Sequence, residues 1–161
     1  MAKREQTRIT AGHGEAGFTL IELMMVTLVL AVLMGMSIPL VQSASRSYGL
    51  STAVLGVTGA IQSTRYQAIM HGYPYALVLD PASQTFQIQS EPPGSSSFSN
   101  VGGAVPWSSG GGIVLAPATT FQFNPGGIVT VNSGSMVLTL SNTAATETVT
   151  VSEVGNVTVN P

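Results

Sequence analysis

The residues Gly17-Phe18-Thr19-Leu20-Ile21-Glu22-Leu23 open the longest apolar stretch of the chain. From Phe18 to Val41 the only charged residue is Glu22, and most of the others are Leu, Met, Val, Ile and Ala. At 1.5 Å per residue, a helix over 18–41 spans roughly 36 Å, enough to cross a hydrocarbon core of about 30 Å. A chain of 161 residues is too short to surround so long an apolar helix. We therefore predict that 18–41 is a transmembrane helix.

The same residues resemble a processing site. Gly-Phe-Thr-Leu-Ile-Glu closely resembles the type IV prepilin cleavage box, which also begins the pseudopilins of type II secretion. The resemblance implies that a prepilin peptidase cuts between Gly17 and Phe18 and that the new amine becomes N-methylphenylalanine. It also implies roles in filament assembly for Thr19, Glu22 and Pro39. A carboxylate in a lipid-facing helix costs about 2.5–3.5 kcal/mol at mid-depth, so a partner that neutralises Glu22 is expected.

Residues 1–17 are polar and are interpreted as a cleaved leader. Their charged residues are Lys3, Arg4, Glu5, Arg8 and Glu15. Basic residues before an apolar run keep that end cytoplasmic, which places the following domain in the periplasm across a single-pass inner-membrane helix. An ordinary signal peptide is disfavoured because the apolar run is too long and only Ser43-Ala44-Ser45 offers a small-residue cleavage site. An uncut signal anchor remains the alternative.

Beyond Val41 the apolar residues keep a helical period. They recur at steps of three and four and so form one stripe, which consists of Leu50, Val54, Val57, Ile61, Thr64 and Ala68. The helix should end near His71-Gly72, because Gly is common just past a helix and Pro74 follows. We therefore predict that 42–72 is an amphipathic helix of the globular domain.

Residues 73–161 alternate short apolar runs with turn residues, which predicts about eight antiparallel strands. The predicted strands are 75–79, 84–88, 113–115, 120–123, 128–131, 136–140, 148–151 and 157–159. A long helix followed by such strands predicts an α+β fold. Residues 91–112 are interpreted as a long loop with one short strand near Trp107. Trp107 is a candidate partner contact, and the simpler interpretation is a flexible connection.

The order of these elements is similar to that of the GspH/FimT group of minor pseudopilins and pilins. In that group an aromatic strand, a Pro-Gly turn and a last strand pair around a Gly follow the first hairpin. The corresponding residues here are Thr120-Phe121-Gln122-Phe123, Pro125-Gly126 and Val154-Gly155-Asn156. The resemblance over 50–160 is carried by pattern more than by identity.

The titratable residues after Phe18 form no recognisable catalytic or metal-binding set. They are Glu22, Arg46, Arg65, His71, Asp80, Glu91, Glu147 and Glu153. There is one His and no Ser in a nucleophile elbow, so an enzyme is not expected. Calcium needs several carboxylates, and the chain has no Cys. We therefore expect no metal and no cofactor.

Nucleic-acid binding is also not expected. Phosphate contacts need Lys or Arg, and the chain after Phe18 offers only Arg46 and Arg65 against five acidic residues. Both arginines lie on the predicted helix.

Together these features predict a structural minor pseudopilin of a bacterial type II secretion system. The expected partners are other pilin or pseudopilin subunits, the prepilin peptidase, the inner membrane and the secretion or pilus assembly platform. A FimT-like minor pilin of a type IV pilus is the first alternative. The second is an unprocessed membrane-anchored binding domain that uses the loop 91–112.

Overall fold

A computed structural model describes residues 17–108 and 112–161, with the side chains of 36–40 excepted. The predicted leader up to residue 16 and residues 109–111 of the predicted loop lie outside these ranges. The chain divides between Pro39 and Leu40 into two compact units, and each is described by itself.

The first unit carries the start of helix α1, which spans Leu20–His71. Large apolar side chains face outward on all sides of this part of the helix. Among the residues that the structure describes, no helix is both long enough and apolar enough to cross a membrane. The transmembrane span predicted over 18–41 is thus not shown by the structure. The backbone is helical at Pro39, and its predicted role in assembly stays a prediction.

The second unit contains the rest of α1, and the stripe predicted along it is confirmed. All six of its residues are buried, from Leu50 at 1 % exposure to Ala68 at 0 %. The helix ends at His71, as predicted. The Gly72 amide still donates a hydrogen bond to the Ala68 carbonyl at 3.1 Å. Gly72 has a φ of 74°, the left-handed conformation that commonly follows a helix.

Within the described residues, ten antiparallel strands follow in two sheets. They are β1 (Tyr75–Asp80), β2 (Thr85–Ser90), β3 (Ser99–Asn100), β4 (Val105–Pro106), β5 (Val114–Ala116), β6 (Thr119–Phe123), β7 (Val129–Ser133), β8 (Val137–Ser141), β9 (Thr146–Val151) and β10 (Val157–Asn160). The first sheet has the order β3-β2-β1-β6-β7, with β4 also paired to β2, and the second has the order β10-β9-β8-β5. The α+β class is therefore confirmed.

The eight predicted strands are all present. Strand β4 lies directly before Trp107, where one short strand was predicted, and β3 is an additional strand in the segment predicted as a loop. Strands β3 and β4 have two residues each and both pair with β2. The Val101 amide extends this pairing with a hydrogen bond of 2.8 Å to the Ile88 carbonyl. Two residues are too few for an alternating pattern to be visible in the sequence. Part of the predicted loop therefore covers the outer edge of β2.

One core joins the helix to both sheets. Alternation places Phe121 and Phe123 of β6 inside, both at 0 % exposure, with ring centroids 6.4 Å apart. Leu138 and Leu140 of β8 are equally buried. The remaining buried apolar side chains of the sheets include Tyr75, Leu77, Leu79, Leu115, Val129, Val149 and Val151.

Trp107 also belongs to this core. It is 3 % exposed, and its carbonyl oxygen lies 3.6 Å from the position that a Cβ on Gly56 would occupy. Strand β4 pairs with β2 directly before Trp107, and the indole belongs to the core cluster. A partner contact at Trp107 stays a prediction.

Candidate assembly site at the start of the helix

The peptide bond predicted to be cleaved lies just before α1. Gly17 is exposed, and a Cβ built on it would meet no atom within 4 Å. Phe18 is 85 % exposed. Residues 17–19 are not helical. A peptidase needs an exposed, non-helical segment in order to reach a backbone carbonyl, so the described geometry allows cleavage between Gly17 and Phe18.

Thr19 caps the helix that follows. Its Oγ1 accepts a hydrogen bond from the Glu22 amide at 3.3 Å, and its carbonyl accepts one from the Leu23 amide at 3.2 Å. A Thr at this position satisfies one of the four amides that a helix start leaves without a partner. The assembly role predicted for Thr19 is not tested by this contact, but its local role is clear. The spacing Thr-x-x-Glu is itself a capping signal in the sequence.

Glu22 lies in the first turn, where a negative charge is favoured by the helix dipole. Phe18 and Glu22 border one surface hollow of about 220 Å³ together with Leu23 and Val26. The structure therefore brings the predicted amine-bearing residue and the predicted acid to the same side of the helix start. Within the described residues Glu22 forms no ion pair.

The helix around Glu22 exposes apolar side chains on every side. Each of the following is at least 47 % exposed: Leu20, Ile21, Leu23, Met24, Met25, Val26, Leu28, Val29, Leu30, Val32, Leu33 and Met34. Fully burying one such side chain is worth about 1.5–3 kcal/mol. A contiguous surface of this kind marks a site that lipid or another protein covers.

The described residues of the second unit bring together no comparable set of reactive groups. His71 packs its ring beside Tyr73 and Tyr75, with centroids 5.7 and 5.6 Å away, and its Nδ1 lies 2.9 Å from the Gln67 carbonyl. Asp80 accepts hydrogen bonds from the Ser83 hydroxyl and the Ala82 amide at the tip of the β1–β2 hairpin. In the described ranges no group of three His, Asp or Glu is placed to hold a metal ion.

Two family models match the chain in agreement with this geometry. The prokaryotic N-terminal methylation motif matches residues 12–38, which include the open Gly17–Phe18 bond and the capped helix start. The family described as type II transport protein GspH matches residues 53–155, which is more than half of the chain. The chain belongs to the GspH family. No curated protein and no solved structure matches it.

The GspH match covers the helix stripe from Val54 onward, strands β1 to β9 and the Pro125-Gly126 turn, and it ends at Gly155 in the turn before β10. The resemblance to GspH/FimT-like subunits is thereby confirmed. Membership of the family implies assembly with other pilin-like subunits and handling by a prepilin peptidase. One arrangement within the matched region was missed in the sequence: Arg65 lies against both turns, and residues from three separate segments cannot be associated by spacing alone.

Proposed function

We propose that this GspH-family chain is a minor pseudopilin of a bacterial type II secretion system. A prepilin peptidase cuts it between Gly17 and Phe18, Phe18 is methylated, and the helix then assembles into the pseudopilus. The observation that carries the proposal is the open Gly17–Phe18 bond directly before a helix with exposed apolar side chains, all inside the matched methylation motif.

In this proposal the exposed apolar side chains at the start of α1 are covered first by the membrane and later by neighbouring subunits. Before assembly its apolar side chains lie in the inner membrane, and after assembly they pack against the helices of neighbouring subunits. The proposed topology is a single pass with the leader cytoplasmic and the second unit periplasmic. It rests on the basic residues Lys3, Arg4 and Arg8 before the apolar run.

The role of the second unit is structural rather than catalytic in this proposal. Its acidic residues are dispersed, and its only His packs on two tyrosine rings at the end of α1. No cofactor and no nucleic acid is required. The partners are other pseudopilins, the prepilin peptidase and the assembly platform of the secretion system.

Mass spectrometry of the full chain, expressed with and without its prepilin peptidase, tests the processing. We expect a mature form that begins with N-methylated Phe18 only when the peptidase is present. Sheared filaments should contain the mature form and not the precursor. An intact precursor in cells that process other prepilins would contradict the proposal and favour the uncut membrane anchor.

A gene deletion distinguishes secretion from pilus function. We expect the deletion to abolish or reduce protein secretion while surface pili remain. Loss of pili with normal secretion would favour the FimT-like minor pilin. Complementation by the full chain, carried on a plasmid, controls for effects on neighbouring genes.

A further inference from the structure

Arg65 occupies a junction between α1 and two turns of the sheets. Its Nε donates a hydrogen bond to the Gly127 carbonyl at 3.1 Å. A Cβ built on Gly127 would lie 3.2 Å from both Arg65 Nη2 and Ile69 Cδ1, and one built on Gly155 would collide with Arg65 Nε and Cδ. The guanidinium is thus held against two glycine turns, one preceding β7 and the other preceding β10.

The two turns are tied to each other, which fixes the junction. The Val129 amide donates a hydrogen bond to the Glu153 carbonyl at 2.7 Å. Each turn is also closed internally, by Gly127 N to Asn124 O and by Gly155 N to Ser152 O, both at 2.8 Å. The Arg65 side chain is therefore positioned by backbone from two sheets rather than extended freely into solvent.

The outer nitrogens of this guanidinium have no acceptor among the described residues. Nε is the only atom of Arg65 with a hydrogen bond there, and Arg65 forms no ion pair with the acids of residues 17–108 and 112–161. A guanidinium presents five N–H donors in a planar fork that matches a carboxylate in two parallel hydrogen bonds. The junction therefore offers a preoriented cation with unused donors.

Exposed apolar residues lie in the two turns that contact Arg65 and one helical turn after it. Ile69 is 45 % exposed, Ile128 beside Gly127 is 54 % exposed, and Val154 beside Gly155 is 68 % exposed. Turns usually carry polar residues. The branched apolar side chains at both turns are therefore not explained by turn formation, and because they are exposed they do not pack in the core. Grouped exposed apolar residues mark interaction surfaces. Arg65, Ile69, Ile128 and Val154 are here called the Arg65 patch.

We propose that the Arg65 patch docks a neighbouring pilin-like subunit which presents an Asp or Glu carboxylate among apolar side chains. Charge complementarity selects this partner, because one cation with an apolar rim fits one carboxylate with an apolar rim. A nucleic acid would find a single phosphate contact and no further cation within the patch. The inference rests on the proposed function, since it assumes that the chain assembles with other subunits.

Photocrosslinking of the full chain in cells tests the surface. A photoreactive phenylalanine replaces Ile128 or Val154, and the matched control replaces Val105, which is 46 % exposed on the opposite edge of the first sheet. We expect a product with another pilin-like subunit from positions 128 and 154 but not from 105, with the crosslinked peptide containing Asp or Glu. Lipid adducts alone, no adducts, or the same product from position 105 would overturn the proposal.

Charge variants test the role of the guanidinium without altering Arg65, whose bond to Gly127 contributes to the fold. Val154→Asp places a carboxylate beside Arg65, and Val154→Lys places a second cation there. We expect Val154→Asp to lower the crosslink yield from position 128 at least about tenfold, since like charges across an interface are strongly unfavourable. Val154→Lys should retain the yield. An equal loss in both variants would overturn the carboxylate partner.

Precursor, mature and filament-bound forms are measured in the same cells. Normal maturation and filament recovery without crosslinks from the patch would overturn the docking surface and leave the proposed function intact. Absence of both maturation and filament recovery would overturn the two together. Val105→Asp serves as the control for charge introduced elsewhere on the sheet.

Discussion

Gly155 lies so close to Arg65 that a Cβ on the glycine would collide with the arginine side chain. Gly155 also has a φ of 75°, a conformation that side chains with a Cβ rarely adopt. Two independent physical requirements therefore select glycine at this position. The turn before β10 and the helix residue Arg65 constrain each other, although 90 positions of sequence numbering separate 65 from 155.

We expect Gly155→Ala to destabilise the protein by about 2–3 kcal/mol, because left-handed backbone costs roughly 1–2 kcal/mol and a displaced hydrogen bond about 1 kcal/mol. Gly94→Ala is the matched control, since Gly94 has a φ of 89° but open space around it. It should lose only the backbone part. Urea unfolding of the full chain in detergent measures both, with fluorescence of Trp107, the only Trp and a core residue, as the probe.

Equal destabilisation by the two alanine variants would mean that the Arg65 side chain moves away from position 155 without any cost in folding stability. A double change, Gly155→Ala with Arg65→Ala, separates the contributions further. Compared with Arg65→Ala alone, the double variant should lose only the stability that comes from the left-handed backbone, because the arginine side chain that collides is absent from both proteins.

The helix stripe and the alternating strands were predictable because both are periodic. Leu50 to Ala68 repeat at three and four residues, and β6 alternates buried and partly buried side chains. The start of the helix was predictable from the resemblance of residues 17–22 to a processing box, and the cap at Thr19 follows from its spacing to Glu22. Local patterns of this kind need no knowledge of distant contacts.

The position of Trp107 and the Arg65 junction were not predictable in the same way. Trp107 is buried because the two-residue strand β4 joins the edge of β2, and two residues carry no period. Arg65 meets turns from both sheets, so its neighbours depend on the complete topology. An aromatic residue in a polar loop is as compatible with a contact surface as with a core position until the strand pairing is known.

The contact between Tyr73 and Tyr75 makes the stability of the folded protein depend on pH in the alkaline range. Burial and the hydrogen bond with Tyr73 raise the pKa of Tyr75 from 10.0 to about 12, and the two hydroxyl oxygens are 3.2 Å apart. Deprotonation in the unfolded chain then precedes deprotonation in the folded one. The stabilisation is fully present below pH 10.0 and is lost as the pH rises to about 12.

Absorbance titration at alkaline pH measures this effect. We expect one tyrosine to ionise late in the folded protein, and Tyr75→Phe should remove that late step. Ionisation of Tyr75 near pH 10.0, in protein that is still folded, would contradict its raised pKa.

The second unit should fold without the first. A fragment that starts at Ser43 keeps the buried stripe of α1 and all ten strands, which together form one core. We expect a soluble, β-rich monomer with a cooperative unfolding transition. A matched fragment that starts at Ser63 removes Leu50, Val54 and Ile61 from the core, and it should be insoluble or unfolded. Similar behaviour of the two fragments would show that the stripe is dispensable.

Cleavage after Gly17 should depend on the size of the residue at that position. Gly17→Glu places a long charged side chain beside the scissile carbonyl, and we expect the precursor to accumulate. Gly17→Ala is the control, because it adds one methyl group in a place where no atom lies within 4 Å. Immunoblots of cells that contain the prepilin peptidase measure both forms. Normal maturation of Gly17→Glu would place the cleavage site elsewhere.

The backbone amide and the side-chain carboxylate of Glu22 have different roles. Its amide is capped by the Thr19 hydroxyl at 3.3 Å, and that contact survives any substitution of the Glu22 side chain except proline. Its carboxylate has no ionic partner in the described residues. In the proposed filament the carboxylate meets the Phe18 amine of a neighbouring subunit after cleavage. Removing one member of a buried ion pair costs about 3–5 kcal/mol.

We therefore expect Glu22→Ala and Glu22→Gln to be inserted and cut after Gly17 as in the unchanged chain, but to be recovered in sheared filaments at least about tenfold less. That reduction corresponds to only about 1.4 kcal/mol, well within the expected penalty. Thr19→Ala is the matched control, since it weakens the cap by about 1 kcal/mol and keeps the charge. Thr19→Ala should assemble better than either Glu22 variant. If processed Glu22→Gln is recovered in filaments at the normal level, the carboxylate charge is not needed for assembly. The only remaining role of Glu22 would then be its favourable interaction with the helix dipole in the first turn.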